Sequence, residues 1–249
     1  MAQTSPEADA NAPLTRPHSP ARPRRGRRAE WLAPAGLIAL SLVPILAGAM
    51  RVTSLTVGAD VTPENVRFFD SPVPVILHIV GSSVYLVLGA LQFAPSLRRR
   101  RWHRIAGRIL VPAGLISALS GLWMTIFYAI PEAMNGPALI VMRLVFSTAM
   151  AAAIVVAVVA IRRGDVSSHS AWMTRAYAIG LAAGTQVFTF LPWTLAFGAP
   201  GQAMHSVLMG LGWAINLTVA EIVIRRRARP RSRRAVGRPA RGHAPIMRA

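Results

Sequence analysis

Cysteine and lysine are both absent from this chain of 249 residues, and only nine residues are acidic. Without cysteine the chain can form no disulfide, thiolate nucleophile or iron–sulfur cluster. All 28 basic residues are therefore arginine, and the formal net charge is +19. In a soluble protein such a charge would suggest nucleic acid, but no nucleic-acid-binding motif accompanies it. We therefore expect no nucleic-acid partner.

Long apolar segments fill most of the chain, which is 53% hydrophobic. A helix needs about 20 largely apolar residues to cross roughly 30 Å of hydrocarbon. Six segments meet this requirement: 31–50, 72–94, 105–130, 138–161, 171–191 and 202–224. The sequence predicts an all-α fold, a polytopic membrane bundle of six transmembrane helices that occupies residues 31–224 as one domain.

The arginines predict the orientation of this bundle. Residues 1–30, rich in Pro, Ala and Arg, and residues 225–249, rich in Arg, are predicted to be disordered cytoplasmic tails. With six spans, every arginine except Arg51, Arg67 and Arg143 falls on the side of the tails. This is the positive-inside asymmetry, so we expect an inner-membrane protein with both termini in the cytoplasm. Its expected partners are the bilayer and anionic phospholipid headgroups.

The first span allows a second interpretation. Arg27 and Arg28 precede it and Ala47-Gly48-Ala49 follow within it, a pattern that resembles a signal peptide with its cleavage site. We favour an uncleaved first helix, because the apolar part is long and contains Pro34 and Pro44. Cleavage would leave five spans with the same orientation.

Small and polar residues within the spans predict helix packing. Gly107, Gly114 and Gly121 recur every seven residues, and Gly180 and Gly184 form a GxxxG pair, which lets helix backbones approach closely. Glu221 is expected to pair with Arg225 along one helix face. The polar residues Gln92, Gln186 and Asn216 fit either interhelical hydrogen bonds or a cavity lining.

Four histidines lie within or at the ends of the spans, where ionisable side chains are costly and indicate function. His78 and His205 form an outer layer, and His103 and His169 an inner layer. His18 and His243 lie in the tails and are set aside. Paired histidines from facing helices are the ligands with which membrane bundles hold haem b.

Arginines accompany the histidines. On the inner side Arg104 and Arg108 follow His103, and Arg175 follows His169, while on the outer side Arg143 lies one turn into the fourth span. Such arginines could pair with haem propionates. Arg143 could instead extend to the outer interface, against Glu132 or Asp70. The candidate cofactor-binding residues are thus His78, His205, His103, His169, Arg104, Arg108, Arg143 and Arg175, the four histidines being candidate ligands of haem iron.

Three motifs resemble a known family. They are His78 with the segment Leu88-Gly89-Ala90-Leu91-Gln92-Phe93, then His103-Arg104-Ile105-Ala106-Gly107-Arg108, then His169-Ser170-Ala171-Trp172-Met173-Thr174-Arg175. Together, over roughly residues 70–195, they resemble the bacterial membrane-protein family called domain of unknown function 2306. That resemblance implies a multi-span membrane protein and no particular activity. The layered histidines are also similar in architecture to two-haem cytochromes of the b561 type, except that the inner pair lies at the ends of the spans.

Two functions remain open after these observations. The first is a membrane electron-transfer protein that holds haem b between layered histidines. The second is a non-enzymatic transport or binding protein with a cavity lined by His and Arg, for an anion or a proton. A lipid-modifying enzyme ranks last, because no nucleophile with a base and no carboxylate-rich metal motif occurs. No catalytic residue is assigned.

Overall fold

The structure, a computed structural model, describes residues 30–98 and 101–228. Within these residues all regular secondary structure is helical. The helices are α1 (Leu32–Val57), α2 (Val66–Asp70), α3 (Pro72–Leu91), α4 (Pro95–Arg98), α5 (Arg101–Phe127), α6 (Pro137–Arg162), α7 (Val166–Phe197) and α8 (Gln202–Ala228), with a 3₁₀ turn at Glu132–Met134. The all-α fold is confirmed. Six of the helices, α1, α3, α5, α6, α7 and α8, are long and apolar enough to cross a membrane.

Several helices are longer than their predicted spans. α5 begins at Arg101, α7 runs from Val166 to Phe197, and α8 continues to Ala228. Arginine is a good helix former, and in a last turn it also interacts favourably with the helix dipole, so α8 does not stop where its apolar residues end. The first four residues of the predicted C-terminal tail are therefore helical. The other residues of both predicted tails, apart from Glu30, lie outside the described part of the chain.

The ends of the helices are fixed by local sequence. Pro72 and Pro137 occupy first-turn positions of α3 and α6, where the missing N–H removes no hydrogen bond. Asp165 caps α7 by accepting a hydrogen bond from the Ser168 N–H (2.9 Å). Hydrogen bonds from Ser168 and Ser167 lower the pKa of Asp165 to about 2. These signals give α3, α6 and α7 defined starting points, which sets the depth of the side chains they carry.

Hydrogen bonds between the connecting segments show how one end of the bundle is built. The Tyr128 hydroxyl after α5 donates to the Ser71 carbonyl before α3 (2.6 Å). Gln202 at the start of α8 donates through Nε2 to the Glu132 carbonyl (2.8 Å). We call this end, with residues 58–71, 128–136 and 198–201, the loop face. The opposite end, with residues 92–98, 101 and 163–165, is the tail face.

Glycines allow the closest helix contacts. The buried ring of Tyr85 lies between Gly114 and Gly180, where an added Cβ would come within 2.6 Å and 3.3 Å of it. Gly184 lies directly against the backbone carbonyl of Leu40 in α1. The predicted close packing is confirmed at these glycines. It is wrong for Gly107, where an added Cβ would meet nothing within 4 Å.

Candidate functional site

A cavity of about 460 Å³ occupies the half of the bundle that is nearer to the loop face. All six long helices and the short α2 contribute to its wall. Its volume lies within the range of about 300–1,000 Å³ that is usual for small-molecule sites. Both predicted outer-layer histidines, His78 and His205, line it, and so does Arg143. The structure therefore brings the predicted outer layer together around one space.

His78 projects from α3 and is held by α5. Its Nδ1–H donates to the Ser117 carbonyl (2.9 Å), and the Ser120 hydroxyl lies 3.4 Å from the same nitrogen. Because a carbonyl can only accept, this contact places the proton on Nδ1 and leaves the Nε2 lone pair for another partner. Gly121 makes room for the ring, since a Cβ there would lie 3.3 Å from it. α5 thus fixes both the orientation and the tautomer of this histidine.

Arg143 and His205 belong to α6 and α8. Arg143 donates from Nη1 to Asn135 Oδ1 (3.1 Å) and from Nη2 to the Met134 carbonyl (3.3 Å). The alternative that Arg143 pairs with Glu132 or Asp70 is wrong, since neither forms an ion pair with it. The His205 ring packs edge-on against Phe190, with centroids 4.9 Å apart. Both side chains are half-buried, and the described neighbours that anchor them leave Arg143 without an ion pair.

Arg67 is a lining residue that was not among the candidate site residues of the sequence analysis. Its guanidinium lies 4.3 Å from the centre of the Phe68 ring, and that of Arg51 lies 4.5 Å from the same ring. Arg67 also donates to the backbone carbonyl of Glu64 (2.6 Å). Burial and the nearby Arg51 lower the pKa of Arg67, but an arginine stays charged in proteins.

These three arginines are the same three that the topology assigns to the loop face. Arg67 and Arg143 line the cavity, and Arg51 stacks on Phe68, which also lines it. Among the described residues the one ion pair within 4.0 Å joins Arg175 and Glu221, so none of the loop-face arginines forms an ion pair, and Glu64 interacts with Arg67 only at longer range. The signal that could have identified Arg51 and Arg67 was their rarity: they are exceptions to the positive-inside rule.

The inner-layer residues lie elsewhere. His169 donates through Nδ1–H to the Ala157 carbonyl of α6 (2.9 Å). Arg175 forms a two-bond ion pair with Glu221 of α8, at 2.6 Å and 3.1 Å, and stacks 4.7 Å above the Trp172 ring. Glu221 was expected to pair with Arg225, but its ion pair is with Arg175, and Arg225 acts on it only electrostatically at longer range. The antiparallel neighbour α7 instead presents a guanidinium whose planar geometry matches the carboxylate.

His103, Arg104 and Arg108 follow one another on α5. Both arginines are exposed. α5 packs mainly on α3 and α6, whereas α7 packs on α6 and α8. None of His103, Arg104, Arg108, His169 and Arg175 lines the cavity. The structure brings the outer layer together and does not gather the inner layer around this space.

The polar residues of α7 and α8 join those two helices. The Thr185 hydroxyl donates to Asn216 Oδ1 (2.7 Å), and Asn216 Nδ2 donates to the Ala178 carbonyl (3.1 Å). Gln186 donates to the Met209 carbonyl (3.1 Å) and also lines the cavity. The sequence left open whether these residues form interhelical hydrogen bonds or line a cavity. Asn216 forms interhelical hydrogen bonds, and Gln186 does both.

No group of three or more His, Asp or Glu side chains able to hold a metal ion occurs in the described part of the chain. A bis-histidine haem site needs only two such ligands and is therefore a different kind of site.

Comparison with known proteins agrees with the fold. No curated protein and no solved structure shows significant similarity to this chain. A protein-family model described as predicted membrane protein (DUF2306) matches residues 75–224. The match covers more than half of the chain. It includes all of α5, α6 and α7 and most of α3 and α8, and it contains all four histidines of the two layers. The motifs around His78, His103 and His169 all lie within this range. The chain therefore belongs to the DUF2306 family of predicted membrane proteins.

Proposed function

We propose that this membrane protein binds an anionic small molecule in the loop-face cavity, as a transport or binding protein and not as an enzyme. The observation that supports this is the collection of all three loop-face arginines at one cavity, where, among the described residues, none of them forms an ion pair and no carboxylate lines the wall. Hydrogen bonds between arginine and an anion are about twice as strong as neutral ones. A partly desolvated cation without a counter-ion is costly, and a bound anion would offset that cost.

The histidines suit the same role. Each neutral imidazole offers one donor and one acceptor, so His205 can donate to an anion beside Arg143. His78 has committed its Nδ1–H to Ser117, and its Nε2 can accept from a protonated group of the ligand.

The test is anion binding by the purified protein in nanodiscs of phosphatidylcholine, followed through tryptophan fluorescence. Inorganic phosphate and octyl phosphate are the two probes. We expect at least one to bind to the wild-type protein, and Arg143→Gln to weaken that binding about tenfold or more, since a hydrogen bond to a charged group contributes about 1.5–3 kcal/mol. Arg162→Gln is the matched control, because Arg162 is exposed at the other end of the same helix. Failure of both probes to bind, or equal effects of the two substitutions, would overturn the proposal.

Haem b is the second candidate, and a specific observation favours it at the outer layer only. The Nδ1–H of His78 is directed to a backbone carbonyl, the arrangement that commonly orients a metal-ligating imidazole and leaves Nε2 for the metal. His205 lines the same cavity from α8 and would be the second ligand, with Arg67 and Arg143 near the propionates. Bound haem would supply one-electron transfer. At the inner layer Arg175 is already neutralised by Glu221, which fits propionate binding poorly.

A visible absorption spectrum of the protein purified after haem supplementation tests this candidate. A haem held by the outer pair predicts a Soret band that His78→Ala or His205→Ala removes, while His103→Ala and His169→Ala leave it in place. Each variant should still insert into the membrane, because the apolar spans and their flanking arginines are unchanged. Wild-type protein without visible absorbance would eliminate the haem function. Loss of the band only in the inner-layer variants would contradict its placement.

We further propose the inner-membrane location with the tail face in the cytoplasm. It is supported by the arginine asymmetry between the two faces.

A further inference from the structure

The walls of the cavity change in character with depth. Of the described residues that line it, Arg67 and Arg143 are the charged ones, and both lie towards the loop face. Farther in, Phe146 and Trp213 stack with centroids 4.5 Å apart, and Met150, Ile179 and Met209 form the wall around them. From His205 to Trp213 α8 advances eight residues, roughly 12 Å at the helical rise. The cavity therefore has a cationic end towards the loop face, which we call the mouth, and a deeper, largely apolar interior.

Two polar side chains of the interior are occupied by the protein itself. The Ser82 hydroxyl donates to the Ile79 carbonyl (3.1 Å), and the Gln186 amide donates to the Met209 carbonyl (3.1 Å). A small hydrated anion that moved into this region would lose its water without gaining charged partners, which is unfavourable. An apolar group would instead gain contact with aromatic rings and with methionines, whose flexible side chains adapt to ligands of irregular shape.

We infer that the ligand is an amphiphilic anion, whose acidic head is held at the mouth by Arg67, Arg143 and His205 and whose apolar body fills the interior beside Phe146 and Trp213. This inference rests on the proposed anion-binding function and adds the class of ligand. The acidic head, a carboxylate or a phosphate, receives charge-assisted hydrogen bonds. The body is removed from water at about 0.8 kcal/mol for each buried methylene group, so both parts contribute to affinity.

Three probes separate the two parts of the ligand. Octyl phosphate carries head and body, inorganic phosphate carries the head alone, and octanol carries the body alone. Each is titrated into the protein in phosphatidylcholine nanodiscs, with the fluorescence of Trp213 as readout and Trp213→Phe to identify its signal. We expect octyl phosphate to bind at least tenfold more tightly than either other probe. Arg143→Gln should weaken octyl phosphate about tenfold or more and leave octanol unchanged.

The outcomes distinguish this inference from the proposed function. If inorganic phosphate binds as tightly as octyl phosphate and depends equally on Arg143, the amphiphile is overturned and the anion site remains. If octanol binds as tightly as octyl phosphate in both wild type and Arg143→Gln, both proposals fail. The titrations of octyl phosphate and octanol are repeated with Arg67→Gln, which changes a residue outside the long helices. The test therefore remains decisive even if the Arg143 variant is unstable.

A further arm identifies the source of the ligand. The same titration is performed in nanodiscs that contain phosphatidylglycerol, whose headgroup carries the same phosphate chemistry. Weaker binding of octyl phosphate there would assign the site to a bilayer lipid, and unchanged binding to a dissolved amphiphile. Both results support an amphiphilic anion.

Discussion

Substituting alanine for Gly184 should loosen the contact between α1 and α7. The added Cβ would collide with the backbone carbonyl of Leu40, which cannot rotate away as a side chain could. Pro44 lies four residues after Leu40 in α1, so this carbonyl lacks its usual helical donor and is free to face α7. Overpacking of this kind costs about 1–3 kcal/mol and sometimes more. Replacing a helical glycine by alanine also stabilises the helix by up to about 1 kcal/mol, which offsets part of this cost. We expect a net destabilisation of about 1–2 kcal/mol.

Gly107→Ala is the matched control, because it lies within α5 and an added Cβ would meet nothing within 4 Å. The propensity gain should then appear alone, as a stabilisation of roughly 0.5–1 kcal/mol. Thermal unfolding of both variants in the same detergent would show shifts of opposite sign. The reasoning is refuted if Gly184→Ala is as stable as Gly107→Ala. Since Pro44 and Ile45 of α1 line the cavity, Gly184→Ala should also weaken octyl phosphate binding, which Gly107→Ala should leave unchanged.

Three further predictions concern the tail face and the topology. Arg175→Gln should lower the free energy of unfolding by about 1 kcal/mol, as expected for a partly exposed ion pair. Arg225→Gln should lower it less. Equal effects of the two substitutions in thermal unfolding would contradict the pairing of Arg175 with Glu221. The pKa of Asp165 is depressed to about 2, so its contribution to stability is present above the unfolded value near 4 and is lost as the pH falls from about 4 to about 2. Asp165→Asn should flatten that part of the stability curve, and an unchanged curve would count against the cap. A periplasmic reporter should be active when fused after residue 60 or 135 and silent after 100, 165 or 230, and activity at 230 would exclude the proposed orientation.

The number of long helices was predictable because it depends on local properties. Apolar length sets each span, and proline and glycine mark several of the ends. The helices were longer than predicted where arginine-rich turns continue them, as at Arg101 and Ala228. Hydropathy alone does not detect such turns.

The arrangement of the helices around the bundle was less predictable. His78 and His205 were expected at similar depth, and the structure places both on one cavity. For His103 and His169 the sequences of the two motifs are alike, but α5 and α7 are separated by their neighbours. Similar local sequences indicate that two side chains lie at similar depth and have similar chemistry. They do not indicate which helices lie side by side. Glu221 shows the same limit, since its partner came from α7 and not from its own helix.

Asn135→Asp provides a test in which stability and binding should change in opposite directions. The acids of the loop face, Asp60, Glu64, Asp70 and Glu132, form no ion pair with Arg143, whose Nη1 instead donates to Asn135 Oδ1 at 3.1 Å. An aspartate at this position would keep the size of the side chain and give Arg143 a permanent counter-ion. Charge-assisted hydrogen bonds are about twice as strong as neutral ones, so the protein should gain roughly 0.5–1 kcal/mol of stability. If the uncompensated charge of Arg143 binds an anion, octyl phosphate should bind to the Asn135→Asp variant at least about tenfold more weakly.

Asn135→Ala removes the hydrogen bond without adding charge, and it should lower stability while largely preserving binding. An Asn135→Asp variant that is more stable and still binds octyl phosphate like the wild type would show that Arg143 has no part in holding an anion.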